Sequence, residues 1–231
     1  MKKLLLDYEN NIYSQFGEDG IIQKIIEIIK PINKTCIDIG AWDGMKYSNV
    51  CNLWMNDWNA ILFECDVEKY FQLSNNVKNK NALIYNIKIS PENINSYLPN
   101  DLYGLISIDI DGDDYHILNN MECKSNILVI EYNPTFPKHI EYINKPGDNF
   151  GSSALSIIKL AESKGYTLVS ITDSNCIFVL NYYKELFSEY ELDYNKLFID
   201  KYICYVYNNY SGDYLLSREP VYGFKERLKY E

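Results

Sequence analysis

Hydrophobic and polar positions along this chain recur in two periods, and each period predicts one kind of element. Isoleucines at positions 21, 22, 25, 26, 28 and 29 form one broad apolar face, which predicts a helix over 18–30 that Pro31 ends. Short continuous apolar runs predict strands over 36–39, 60–63, 82–85, 105–110, 127–132, 167–171 and 176–180. Helices, or over 91–97 a shorter connecting segment, are predicted over 47–55, 67–77, 91–97, 114–121 and 153–164.

The order of these elements predicts the fold. Regular alternation of strand and helix is typical of a parallel sheet with helices on both faces. The last two strands differ, because only Thr172-Asp173-Ser174-Asn175 separates them. Four polar residues are too few for a crossover between parallel strands, so they must form a hairpin turn. We therefore expect an α/β fold with a doubly wound, mostly parallel seven-stranded sheet that ends in an antiparallel hairpin.

The clearest functional pattern lies in residues 35–44. An apolar run ends at Asp38, and then Gly40 and Gly44 flank a turn, where the missing Cβ lets the backbone approach a ligand closely. A second apolar run ends at Glu64, near the place where a nucleotide-binding loop expects an acid for the ribose. The third glycine of a dinucleotide motif is absent, and Asp38 and Asp43 would repel a pyrophosphate. The pattern favours a nucleoside cofactor with a cationic group, such as S-adenosylmethionine.

Four segments, in this order, resemble the FkbM-like group of class I S-adenosylmethionine-dependent methyltransferases. They read YSQFGEDGI (13–21), TCIDIGAWDG (35–44), IDIDGDD (108–114) and IEYNP (130–134), and the resemblance covers residues 13–181. It implies methyl transfer to an oxygen of a small molecule or sugar, in surface-polysaccharide or secondary-metabolite biosynthesis. It also implies that Gln15 or Asp19 reaches the methionine part of the cofactor.

The residues expected to bind the cofactor each have a structural alternative. Glu64 offers two acceptor oxygens to the ribose hydroxyls, or it caps the helix that follows. Asp43 contacts the cofactor or only stabilises its own turn. Gln15 and Asp19 contact the methionine part or cap the first helix, and Asn86 borders the adenine by analogy of fold. The full set is Gln15, Asp19, Asp38, Gly40, Asp43, Glu64, Asn86 and Asp109.

A cluster of acids follows the fourth predicted strand. In a methyltransferase Asp109 and Asp111 would face the transferred methyl group and the acceptor, while Asp113 or Asp114 would cap the next helix. His116 is a candidate base, since a neighbouring carboxylate raises an imidazole pKa, or it is a surface histidine. Two other activities stay open at this point: an oxidoreductase with a nucleotide cofactor, and a metal-dependent phosphoesterase that uses Asp109 and Asp111.

A metal site is the last candidate. Strand four ends near Asp109 and strand five near Glu131 and Asn133, and these termini lie side by side if the strands are neighbours. Carboxylate and amide oxygens suit Mg²⁺ or Mn²⁺, which would hold the acceptor hydroxyl and lower its pKa. The alternative is that these side chains orient cofactor or acceptor through hydrogen bonds without a metal.

Composition restricts the partners and the compartment. The net charge of −10, with no compensating basic run, argues against a nucleic-acid substrate and favours a small-molecule or sugar acceptor. No apolar run is long enough to span a membrane. Six scattered cysteines without a C-x-x-C pair indicate reduced thiols and a cytoplasmic protein. A homodimer is left open.

The length of 231 residues favours one domain over 1–231. Within it we expect three parts along the chain. Residues 1–34 are predicted to form a helical entry segment, and residues 35–181 the core that binds the cofactor. Residues 182–231 are rich in tyrosine and charge, and we expect a helical or irregular C-terminal extension.

Overall fold

The computed structural model describes residues 2–199, 205–208 and 210–217. Its helices are α1 (Glu18–Ile29), α2 (Cys51–Met55), α3 (Val67–Asn76), α4 (Ile94–Tyr97), α5 (Asp114–Asn120), α6 (Ala154–Ser163) and α7 (Tyr194–Leu197), with short 3₁₀ helices over Leu5–Tyr8 and Asn181–Phe187. Its strands are β1 (Thr35–Ile39), β2 (Asn59–Glu64), β3 (Ala82–Asn86), β4 (Leu102–Ile108), β5 (Lys124–Glu131), β6 (Tyr166–Ile171), β7 (Asn175–Leu180), β8 (Tyr205–Asn208) and β9 (Tyr214–Ser217).

Seven strands form one sheet in the order β3-β2-β1-β4-β5-β7-β6. β1 to β5 pair in parallel, whereas β7 runs antiparallel to both β5 and β6. The predicted doubly wound, mostly parallel sheet with a terminal hairpin is therefore confirmed, and the order is typical of class I methyltransferases. The winding reverses between β1 and β4. Open α/β sheets bind ligands beside the carboxyl ends of the strands at such a reversal.

The sheet separates two hydrophobic cores. Helices α1 to α3 pack on one face and α4 to α6 on the other. Successive side chains of a strand point to opposite faces, so Cys36 packs with the first group while Ile37 and Ile39 pack with the second. Burial on both faces explains why the strands appear in the sequence as continuous apolar runs.

Two of the element boundaries that differ from the prediction lie beside the cavity described below. The helix predicted over 47–55 begins only at Cys51, because Tyr47 has a left-handed backbone (φ +60°) that no α-helix contains. Strand β4 ends at Ile108 rather than at 110, and Asp111 is also left-handed (φ +58°). The acids after β4 therefore lie on a loop and not on the strand.

The C-terminal extension is more varied than predicted. Residues 181–187 and 194–197 are helical, and β8 and β9 form an antiparallel hairpin that the sequence did not indicate. The remaining residues of the predicted extension, 200–204, 209 and 218–231, lie outside the described part of the chain.

Two further expectations concern the membrane and the thiols. Within the described ranges, no helix combines the length and the apolar character needed to cross a membrane. The five cysteines found there are all free, at positions 36, 51, 65, 123 and 176. Cys204 falls in the segment that the structure does not describe.

Candidate functional site

A cavity of about 410 Å³ lies at the carboxyl edge of the sheet, around the ends of β1, β2 and β4. Cavities of roughly 300–1,000 Å³ are usual for small-molecule sites. The predicted site residues that line it are Gln15, Asp38, Gly40, Glu64, Asp109, Asp111 and Glu131. The predicted residues outside its lining are Asp19, Asp43, Asn86, His116 and Asn133.

Gly40 joins the ends of β1 and β4. Its φ of +96° is unfavourable for any residue with a side chain, and a Cβ there would lie 1.8 Å from the carbonyl oxygen of Asp109. The Asp109 N–H in turn donates to the carbonyl of Ile39 at 3.0 Å. Only glycine lets the segments after β1 and β4 approach this closely. The first glycine of the turn therefore brings the loop of acids after β4 to the cavity.

Glu64 is buried and connects the turn after β1 with the turn after β2, which together form one side of the cavity. Its Oε2 accepts the Trp42 N–H and its Oε1 accepts the Asp66 N–H, each at 2.7 Å. The predicted alternative, a helix cap, does not describe this geometry, because the side chain of Asp66 caps α3 by accepting the Lys69 N–H. Each carboxylate oxygen of Glu64 keeps a second lone pair for a ligand.

Asp38 lies at the floor of the cavity and is buried. Its Oδ2 accepts a hydrogen bond from the Ser48 hydroxyl at 3.1 Å. Burial raises the pKa of Asp38 from 3.8 to about 6, and the hydroxyls of Ser48 and Ser107 moderate that rise. Ser48 was missed in the sequence, since no pattern links it to an acid ten positions earlier.

Two predicted cofactor residues make structural contacts instead. Asp43 Oδ1 accepts the backbone N–H groups of Met45 and Lys46 at 2.9 and 2.7 Å, so its carboxylate stabilises its own turn. Asn86 donates from Nδ2 to the carbonyl oxygens of Glu64 and Cys65, which holds the ends of β2 and β3 together.

The N-terminal segment is fixed by two buried acids at the start of α1. Asp19 Oδ2 accepts three consecutive backbone N–H groups, of residues 12, 13 and 14, at 2.7–2.9 Å. Glu18 Oε1 accepts hydrogen bonds from Thr172 and Asn175 of the terminal hairpin. These contacts position Gln15 in the cavity wall while Asp19 stays behind it.

The acid side of the cavity brings together Asp109, Asp111 and Glu131. Oxygens from all three carboxylates lie within 4.8 Å of one another. Hydrogen bonding between Asp109 and Glu131, which needs a proton on one of them, lowers the pKa of Asp109 and raises that of Glu131. Burial is the largest cause that raises the pKa of both groups, and the neighbouring negative charges raise it further.

The helix caps predicted at Asp113 and Asp114 are wrong. Asp114 accepts the N–H groups of Ile110 and Gly112, and so fixes the loop that carries Asp111. Asp113 precedes α5, but its side chain makes no capping hydrogen bond and accepts the Gly147 N–H instead. Both acids stabilise loops through backbone N–H groups that lie outside α5.

His116 and Asn133 contact the loop between β5 and α6. The His116 Nε2 donates to the Asn144 carbonyl at 2.9 Å, which fixes the tautomer with the proton on Nε2. Asn133 donates to the Phe150 carbonyl at 2.7 Å, and its Oδ1 accepts the Thr135 N–H. The predicted carboxylate and amide set thus becomes three carboxylates, with Asp111 where Asn133 was expected.

Comparisons with known proteins give structural likeness only. No protein-family model matches the chain, and no curated protein sequence is significantly similar to it. A SAM-dependent methyltransferase from Aquifex aeolicus is 14% identical, with 69% of this chain and 88% of that chain covered and a TM-score of 0.43. Magnesium protoporphyrin IX methyltransferase from Synechocystis PCC 6803, with bound SAM, is 10% identical over 70% and 76% of the two chains (TM-score 0.45).

A TehB-like SAM-dependent methyltransferase from Corynebacterium glutamicum ATCC 13032 Kitasato gives similar values. It is 13% identical to this chain, the match covers 74% of this chain and 89% of that one, and the TM-score is 0.45. Identities and scores this low do not carry an activity from one chain to another.

Proposed function

We propose that the protein is an S-adenosylmethionine-dependent methyltransferase that methylates an oxygen of a small acceptor, in the class of sugars or secondary-metabolite precursors. One observation carries the proposal. A cavity of the right size at the β1/β4 reversal has a buried carboxylate on one side, Glu64, and three clustered carboxylates on the other. The first suits a ribose, and the others suit a cationic donor and a hydroxyl that must lose a proton.

The donor side supplies contacts for a nucleoside. Glu64 is anchored by two backbone N–H groups and can accept both ribose hydroxyls with its remaining lone pairs. Phe63, Ile87 and Ile89 line the same wall and offer apolar contact to a purine ring. When bound, S-adenosylmethionine supplies a methyl group activated by a positively charged sulfur. Negative charge on Asp38 and Asp109 favours that cation in the low-dielectric cavity.

The acid side supplies a proton acceptor. A carboxylate with a raised pKa takes a proton near neutral pH more readily than an ordinary one, which is the property a general base needs. Asp109 and Glu131 have this property and line the cavity. We propose that this pair accepts the proton that the acceptor hydroxyl loses. His116 lies outside the lining of the cavity, which leaves it a poorer candidate.

The oxidoreductase alternative is disfavoured by the backbone after the glycine turn. A dinucleotide site places the pyrophosphate on the N-terminus of a helix that follows the turn directly. Here residues 45–50 are irregular, and α2 begins only at Cys51 and is five residues long. No helix end is available at the turn to bind a pyrophosphate.

The phosphoesterase stays a second candidate because of the three carboxylates. Asp109, Asp111 and Glu131 are hard oxygen donors at mutual distances that suit Mg²⁺ or Mn²⁺. Any proton on Asp109 or Glu131 would have to leave before a cation could bind both carboxylates. With a metal the set could serve either activity, by lowering the pKa of an acceptor hydroxyl or of a water.

Calorimetry with S-adenosylmethionine and S-adenosylhomocysteine tests the proposal, with NAD as the control ligand. We expect both sulfur compounds to bind and NAD not to bind; NAD binding alone would support the oxidoreductase. Release of phosphate from p-nitrophenyl phosphate with Mn²⁺, abolished by Asp109→Asn, would support the phosphoesterase. Methyl transfer that survives EDTA and dialysis, with no gain on adding Mg²⁺, would remove the metal from the account.

A further inference from the structure

The mouth of the cavity carries three lysines and two exposed aromatic rings, and two of the lysines contact the rings. We call these five residues the basic rim: Trp42, Lys46, Tyr47, Lys69 and Lys88. All five line the cavity. The ammonium nitrogen of Lys69 lies 4.6 Å from the centroid of the Trp42 ring. That of Lys46 lies 5.9 Å from the Trp42 ring and 4.8 Å from the Tyr47 ring. Two cations are thus held beside one indole.

These three lysines have no ion-pair partner among the described residues, whose ion pairs involve only Lys3, Lys24, Lys159 and Lys196. A ring contact orients an ammonium group but leaves its charge and its N–H donors available. Asp66 is the exposed acid of the same wall, and one of its oxygens is used by the Lys69 N–H. In a chain with a net charge of −10, these three lysines are the positive charges that line this cavity.

The backbone of the two aromatic residues of the rim is strained. Trp42 and Tyr47 have φ values of +49° and +60°, which are unusual for bulky residues. Strain of this kind persists only where the surroundings fix it, and here the Trp42 N–H donates to the buried Glu64 carboxylate. The rim is therefore positioned by the same side chain that forms the donor wall.

We infer that the basic rim binds an anionic group, a carboxylate or a phosphate, of a ligand in the cavity. The inner walls carry Glu64, Asp38 and the three clustered carboxylates, which repel an anion, so the anionic end of the ligand lies at the mouth. The inference rests on the proposed function for the body of the ligand. The anion has two possible sources: the amino-acid carboxylate of S-adenosylmethionine, or an acidic acceptor such as a uronic acid or a sugar phosphate.

The experiment compares two triple variants that each remove three positive charges. The rim variant removes the three positive charges of the basic rim by Lys46→Gln, Lys69→Gln and Lys88→Gln. Lys34→Gln, Lys78→Gln and Lys184→Gln are the matched control, because these lysines are exposed, lie outside the cavity and have no ion pair among the described residues. Melting temperatures establish that both variants fold, and the three single rim variants are measured as well.

The ligands separate the two sources of the anion. S-adenosylhomocysteine carries the carboxylate, while 5′-methylthioadenosine is the same nucleoside thioether without it. Pyrophosphate is the probe for an acceptor anion. Its binding is monitored by the fluorescence of Trp42, which is 46% exposed, whereas Trp54 and Trp58 are buried.

If the donor supplies the anion, the rim variant binds S-adenosylhomocysteine at least tenfold more weakly and 5′-methylthioadenosine within twofold of wild type. If the acceptor supplies it, both nucleosides bind unchanged, and a saturable pyrophosphate response is lost in the rim variant only. The inference is overturned if the rim variant matches wild type with all three ligands, or if the control variant loses as much. Failure of wild type to bind either nucleoside would instead contradict the proposed function, and the pyrophosphate arm would still decide the anion site.

Discussion

The carboxylates on the two sides of the cavity have different surroundings. On the donor side Glu64 and Asp66, and Asp43 just outside the lining, each accept backbone N–H groups at 2.7–2.9 Å. On the acid side oxygens of Asp109, Asp111 and Glu131 lie within 4.8 Å of one another, and the pKa values of Asp109 and Glu131 are raised. Backbone donors favour the ionised form, whereas burial beside other acids disfavours it.

This difference separates groups that build the site from groups that are available for chemistry. A carboxylate satisfied by N–H groups fixes a loop at little cost in stability. Carboxylates that are clustered and partly buried destabilise the fold, and such clusters are typical of functional sites, where a raised pKa is useful. We therefore expect substitutions on the donor side to weaken binding, and substitutions on the acid side to remove activity while they stabilise the fold.

The largest effect is expected for Asp109→Asn. Loss of a general base reduces a rate by roughly 10²- to 10⁴-fold, so methyl transfer should fall by that factor. The free energy of unfolding at pH 8 should rise, on the order of 1–2 kcal/mol, because one buried charge is removed. Turnover with labelled S-adenosylmethionine and urea unfolding measure the two quantities. A variant that is both active and less stable would reverse the assignment of the acid side.

Gly40→Ala should break the contact between the two sides. The new Cβ would lie 1.8 Å from the Asp109 carbonyl oxygen, so the backbone must move in addition to the strain at φ +96°. We expect a loss of unfolding free energy of about 3 kcal/mol or more. Gly147→Ala is the matched control, since it has φ +80° with no atom within 4 Å of a Cβ. The control should lose only the strain, roughly 1–2 kcal/mol, and equal losses would show that the close approach is unimportant.

Asp38 should give the protein a measurable pH dependence. Its pKa is raised from 3.8 to about 6 by burial, so the folded state holds the proton more tightly than the unfolded state. Its contribution therefore lowers the unfolding free energy as pH rises from 3.8 to about 6, and is constant above that range. Asp38→Asn should reduce the decline over this window by up to about 3 kcal/mol. Identical pH profiles of wild type and variant, from urea unfolding, would contradict this.

Much of the fold could be predicted from the sequence, because continuous apolar runs and a four-residue polar turn are local signals. The boundaries beside the cavity could not. Tyr47 and Asp111 adopt left-handed backbones that hydrophobic periodicity does not record. The start of α2 and the end of β4 shifted for that reason.

The site was predictable as a set of strand ends but not as a set of orientations. Asp38, Glu64 and Asp109 reach the cavity because each lies at or just beyond the end of a strand. Asn133 is on a comparable end, yet it turns to the Phe150 carbonyl, a partner 17 residues away. Which way a side chain turns depends on donors and acceptors brought in by the tertiary fold, and no local pattern contains them.

The most direct test of the central claim is the affinity for S-adenosylhomocysteine of three variants measured side by side by calorimetry. Glu64→Gln should bind about 10- to 100-fold more weakly, since it loses charge-assisted hydrogen bonds to the ribose. Asp43→Asn, whose carboxylate serves its own turn, and Asp109→Asn should both stay within about threefold of wild type, a difference of under 1 kcal/mol. Unchanged affinity in Glu64→Gln, or a large loss in Asp109→Asn alone, would contradict the division between a binding side and a chemical side.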